Sequence, residues 1–195
     1  MCTLVVLHRP DHDWPLLVAA NRDEVYGRAW ERPARHWPER PEVVAGLDEL
    51  GGGSWLGVND YGVVAAVANR PGTLGPQEGK RSRGELVLEA LEHADAGTAA
   101  GALADLEPRA YRAFNLFVGG PDGAYWVAHR EDGAAGMAIT EILEGLHMLT
   151  AGDLDDPADP RIRDFLPRFA EAPAPDPEAG DWGAWQALRA DRDHP

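Results

Sequence analysis

Cysteine is almost missing from this chain. Cys2 is the only thiol among 195 residues, so no internal disulfide can brace the fold. A zinc site would have to draw most of its ligands from histidine and carboxylate. Lysine is equally scarce, with Lys80 the single example among 18 basic residues. Set against 33 Asp and Glu, these leave a formal net charge of -15. A field of that sign repels phosphate backbones and anionic lipid, so neither nucleic acid nor a membrane surface is an expected partner. No apolar run approaches the roughly 20 residues that span a bilayer, and stable membrane insertion is not expected. The start, Met1-Cys2-Thr3, lacks the basic and apolar regions of an export signal, which makes the cytoplasm the expected compartment. Gly51-Gly52-Gly53 has neither the spacing of a dinucleotide fingerprint nor the Lys-Ser/Thr that follows a phosphate loop.

What remains has the size of one domain, expected over 1–195, and its 44% apolar content suffices for a core. Thr3 to His8 and Leu16 to Ala20 read as strands, with Pro10 marking the turn between them. Trp30 to Pro41, carrying three prolines, reads as irregular. Ser54 to Val58 and Val63 to Asn69 form a hairpin around Asn59-Asp60-Tyr61-Gly62. Ser82 and Glu85 have the spacing of a capping box and open a helix. Thr98 to Leu106 makes another. Two further strand pairs are expected, Ala113 to Val118 with Ala124 to His129, and Met137 to Leu143 with Leu146 to Thr150. Helices over Pro160 to Ala170 and around Trp182, Trp185 and Leu188 close the chain. Short connections and paired hairpins argue for α+β architecture, antiparallel sheets covered by helices, rather than a doubly wound parallel sheet.

Chemistry concentrates at the start. Removal of Met1 would put a thiol and a free α-amine on one residue, Cys2. Ordinary values for such groups, about 8.5 and 7.7–8.0, both lie near neutrality. The amine can then serve as base for its own side chain. Asn21, Arg22 and Asp23 end the strand expected to pair with the one behind Cys2. Asp23 suits the anion that holds a terminal ammonium, and Asn69, at another strand end, suits a donor to a developing oxyanion. Arg22 suits a thiolate neighbour or a substrate carboxylate. The same cluster also fits a surface salt bridge and a turn cap. Trp14, Trp30, Trp37 and Trp55, with Tyr26 and Tyr61, fit either the mouth of an apolar pocket, with Trp55 the substrate-facing candidate, or anchors for long loops. His8 and His12 are separated by Pro10 and lack helical metal spacing, so no metal site is assigned.

The start Met-Cys-Thr and the run Asn21-Arg22-Asp23-Glu24 resemble the NRDE family, which includes the transport and Golgi organisation 2 proteins. Through it the chain is similar to N-terminal nucleophile hydrolases of the choloylglycine hydrolase and penicillin acylase type. The resemblance implies a four-layer αββα sandwich of two stacked antiparallel sheets. It also implies a cysteine-dependent amidohydrolase or acyltransferase on a non-peptide amide, with no cofactor. Cys2 takes the place of the nucleophile, Asp23 of the aspartate orienting the amine, Asn69 of the oxyanion-hole asparagine and Arg161 of a late arginine, for which Arg163 is nearly as good a match. Asn21, Arg22 and Trp55 are the substrate-binding candidates. Two positions depart from the pattern. Ala20 stands where the hydrolases carry an arginine, and Ala151 where they carry an asparagine after Leu149-Thr150. The alternative is a non-enzymatic carrier of haem or another apolar metabolite such as acyl-coenzyme A. Either way the partner is a small apolar or amide-containing metabolite, and self-association is compatible with the sequence.

Overall fold

Side chains on a strand point alternately to opposite faces, and here both faces of the first strand are apolar, so it must be covered on two sides. That requirement builds the layers. The computed structural model describes residues 2–24, 27–130 and 136–191. Its elements are β1 (Thr3–His8), β2 (Leu16–Asn21), β3 (Trp30–Ala34), β4 (Val43–Asp48), β5 (Leu56–Asn59), β6 (Val64–Asn69), α1 (Gly84–Ala90), α2 (Ala96–Ala104), β7 (Phe114–Gly120), β8 (Gly123–His129), β9 (Ala138–Glu141), β10 (Gly145–Leu149), α3 (Pro160–Glu171) and α4 (Gly183–Ala190).

The strands form two sheets, ordered β10-β1-β2 and β3-β4-β5-β6-β7-β8-β9. Every neighbouring pair is antiparallel. Leu4 and Val6 of β1 meet Ala66, Phe117 and Trp126 between the sheets. Val5 faces the other way, onto Ile162, Phe165, Phe169 and Trp185 of α3 and α4. The outer face of the larger sheet, including Ala65, Leu116 and Val118, packs on Leu86, Val87 and Leu103 of α1 and α2. The result is the αββα stack of two antiparallel sheets expected above. Among the described residues no helix is long and apolar enough to cross a membrane.

The hairpin between β5 and β6 forms as read. Asn59 is buried, and its side-chain oxygen accepts from the Tyr61 and Val63 amides at 3.1 and 2.9 Å. Gly62 supplies the positive φ, +86°, that the turn requires.

Three local expectations are corrected. The segment read as irregular contains β3, an exposed edge strand whose register shifts between Glu31 and Ala34, around Pro33. Proline has no N–H to give the ladder and is tolerated at such an edge bulge. The capping box does not form. Arg83 already has helical dihedrals at the N-cap, Ser82 accepts from Gly84 N at 3.2 Å, and Glu85 pairs instead with Arg81 at 2.8 Å. Finally, β9 and β10 are not a hairpin. β9 pairs with β8 on the larger sheet, whereas β10 pairs with β1 on the smaller one. Ile142 between them is buried in the inter-sheet core, and its amide donates to Ala124 O at 2.8 Å. Burying that side chain carries the connection from one sheet to the other.

Candidate active site

The register of the small sheet brings the sequence candidates to one end of the sandwich. Thr3 pairs with Asn21, and Leu4 pairs with Leu149. The start of β1, the end of β2 and the end of β10 therefore lie side by side. Cys2 is partly exposed there, with Sγ 3.8 Å from the Asp23 carbonyl oxygen. It lines a cavity of about 300 Å³ that enters between the sheets, sharing the wall with Asn21, Arg22 and Trp55. Leu4, Val18, Leu56, Ala66 and Leu149 make the floor apolar.

Asp23 and Arg161 meet on the other side of the small sheet. They border a second cleft of about 870 Å³ beneath α3 and α4, which Thr3, Asn21 and Arg22 also line. Arg161 is aimed by local chain logic. Asp159 caps α3 by accepting from Arg161 N and Ile162 N, and Pro160 occupies the first turn, where no amide is needed. From that start the Arg161 guanidinium donates to Thr3 Oγ1 at 2.7 Å and lies 3.6 Å from the Asp23 carboxylate. Arg163, the other candidate, pairs with its neighbour Asp164 at 3.0 Å.

Asn69 ends β6 opposite Phe114. Ala66, Val67 and Ala68 line the smaller cavity with Cys2, while Asn69 lines neither of the two. Trp55 carries the Arg22 guanidinium over its ring at 4.2 Å, with Trp30 edge-on at 5.7 Å. Trp37 is a buried loop anchor whose indole donates to Gly52 O at 3.2 Å. Trp14 sits in the β1–β2 connection, at the far end of β1 from Cys2. Tyr26 and Met1 lie outside the described residues. His8 is buried with Nδ1 2.9 Å from Ile142 O, far along β1 from the thiol. Among the described residues no group of three or more His, Cys, Asp or Glu is placed to hold a metal ion.

Two features lie outside the sequence candidates. The first concerns Ala20. A guanidinium does reach that position, but from α4: Arg189 donates to the Ala20 carbonyl and, at 2.9 Å, to Asn21 Oδ1, while Asn21 Nδ2 donates back to Arg189 O at 3.1 Å. Burial holds the Arg189 pKa below the usual guanidinium value. These partners stand 168 and 169 positions apart, and nothing local signals the contact. The second concerns Ala151. Asn115, fully buried on β7, donates to the carbonyls on either side of it, Thr150 O at 3.0 Å and Gly152 O at 2.6 Å. Its oxygen accepts from Arg70 at 2.6 Å and Trp126 at 3.1 Å. Arg70 and Arg130 both grip Asp153, at 2.6 and 2.8 Å. Burial works against the Asp153 charge, but the two arginines outweigh it and hold the carboxyl below its ordinary range. This network ties the loop after β10 to the larger sheet. A lone amide inside the apolar run Phe114–Val118 was the available clue.

Comparison with known proteins bears on the family and the fold. The family profile described as Transport and Golgi organisation 2 matches residues 1–175. The bovine and human Transport and Golgi organization protein 2 homologs are 46% and 44% identical to the chain over 81 residues. Those matches cover 39% of this chain and only 28% of each relative. In structure the chain is similar to a Caenorhabditis elegans N-acylethanolamine-hydrolyzing acid amidase ortholog, with a TM-score of 0.63 at 12% identity, over 98% of this chain and 87% of that one. It is also similar to a variant of conjugated bile acid hydrolase from Clostridium perfringens, with a TM-score of 0.51 at 14% identity, over 76% of this chain and 53% of the other. At such identities the likeness is one of fold.

Proposed function

The chain belongs to the transport and Golgi organisation 2 family, and on that premise we propose that it is a cysteine-dependent amidohydrolase acting on a non-peptide amide with an apolar acyl part. One observation carries the reading. The only thiol of the chain lines the mouth of an apolar inter-sheet cavity, beside Asn21, Arg22 and the Asp23 backbone. The fold shared with an acid amidase ortholog and a bile acid hydrolase supports it.

In this reading Met1 is removed, and the freed amine of Cys2 accepts the Sγ proton as the thiolate adds to the amide carbonyl carbon. The carbonyl oxygen becomes an oxyanion held by hydrogen-bond donors, for which Asn69, one residue beyond the cavity-lining Ala68, is the candidate. The ammonium passes its proton to the leaving nitrogen, the C–N bond breaks, and a thioester remains. Water, deprotonated by the same amine, then releases the acid and restores the thiol. Asp23 orients the amine, and Arg161 keeps Asp23 and Thr3 in position.

The test is release of free amine from a panel of N-acyl amides by protein lacking Met1. Turnover that vanishes in Cys2→Ala supports the proposal, and no turnover across the panel counts against it. A carrier of haem or acyl-coenzyme A is the second reading, supported by the indoles of Trp55 and Trp182 in the cavity wall. Tight binding of either ligand, without turnover and unchanged in Cys2→Ala, would favour that reading instead.

A further inference from the structure

The cavity beside Cys2 carries two arginines, Arg22 and Arg189, and no carboxylate among the described residues that line it. This holds in a chain whose acidic residues outnumber the basic ones 33 to 18. Arg22 has Glu24 at 3.4 Å and lies flat on Trp55. Arg189 differs. Among the described residues its hydrogen-bond acceptors, Asn21 Oδ1 and the Ala20 carbonyl, are both neutral, and no ion pair reaches it. A partly buried guanidinium with neutral partners retains capacity for an anion, and the forked donor geometry of arginine matches a carboxylate. The remaining wall, Leu4, Val18, Leu56, Ala66 and Leu149, offers an apolar bed running between the sheets. A volume of about 300 Å³ sits at the compact end of small-molecule sites.

We infer that this cavity selects an amphipathic anion, an N-acyl compound whose carboxylate pairs with Arg189 while its acyl chain lies over Leu4, Val18 and Leu56. The amide in that ligand rests on the hydrolase reading, whereas the preference for a carboxylate is a property of the cavity alone. Arg189 lies beyond residues 1–175, which the family profile matches, so it sets specificity on an element outside that match.

The test measures binding calorimetrically to Cys2→Ala protein, where no turnover can intervene. N-decanoylglycine, bearing a carboxylate, is compared with neutral N-decanoylethanolamine. A charge-assisted contact predicts at least about a tenfold preference for the anion. Arg189→Gln should bring the ratio close to one, and Arg189→Lys should keep part of it. Equal affinities in the Cys2→Ala protein, or a ratio that survives Arg189→Gln, would overturn the inference. Arg189 also ties α4 to β2, so if Arg189→Gln fails to fold, the ratio in the Cys2→Ala protein decides alone. Turnover by the wild type is read separately. Preference without turnover removes the hydrolase reading and keeps this one, and turnover without preference does the reverse.

Discussion

Asn69 and Asn115 carry the same side chain for different work, and substitution should separate them. If Asn69 donates to an oxyanion formed only in the transition state, Asn69→Ala lowers kcat about 100- to 1000-fold and leaves KM nearly unchanged. A rise in KM at constant kcat, read in steady-state assays, would place Asn69 in ground-state binding instead. Asn115 spends its side chain on four hydrogen bonds within the protein. Asn115→Ala would leave an arginine, an indole and two carbonyls short of partners in a buried place, at about 1–3 kcal/mol for each group left unsatisfied. Urea denaturation should therefore show a loss of roughly 3 kcal/mol or more. A loss below about 1 kcal/mol would mean that water replaces the amide.

At the scale of elements, close backbone approach matters more than local propensity. A Cβ on Gly53 would fall 2.3 Å from the Gly84 carbonyl carbon, so the loop before β5 fits against the start of α1 only as glycine. Gly53→Ala should cost about 1–3 kcal/mol through displacement of α1, seen as a lowered melting temperature. An unchanged one would contradict the fit. The same crowding explains the failed capping box, since the Ser54 amide donates to Gly84 O at 3.0 Å and sets where the helix begins. Strands with clear alternation and turn residues, such as the pair around Asn59, were legible from sequence. So was the arrival of Asp23 near Cys2, because one turn joins their strands, although the thiol meets the Asp23 backbone carbonyl and the carboxylate faces Arg161. The passage of the chain between sheets at Ile142 was not, since a buried isoleucine looks alike in either sheet. Arg189 against Asn21 was equally hidden, being a contact between distant parts of the chain.

At the scale of the whole molecule, individual charge pairs set how stability responds to pH. His147 Nδ1 donates to the Asp155 carboxylate at 2.6 Å, and that bond, outweighing burial, raises its pKa above 6.5. The folded state then holds the proton more tightly than the unfolded chain does. Its contribution is full below pH 6.5 and disappears as pH rises through the raised folded value. Asp48 runs the opposite way. Burial opposes its charge, but Arg28 and two backbone amides prevail, so its contribution is lost as pH falls through its depressed value. Denaturation midpoints at mildly acidic and mildly alkaline pH should show wild type losing its advantage over His147→Gln on the alkaline side. A difference independent of pH would remove the Asp155 pairing.

The claim beneath the mechanism is that a liberated Cys2 is a nucleophile. Because the chain has no other cysteine, a single intact-mass measurement addresses it without ambiguity over which thiol reacts. Protein purified from cells is weighed before and after brief exposure to a thiol-reactive acylating probe. The account predicts a starting mass short by one methionine and the gain of one acyl group, absent in Cys2→Ala. A mass that retains Met1, with no acyl group gained, would contradict it.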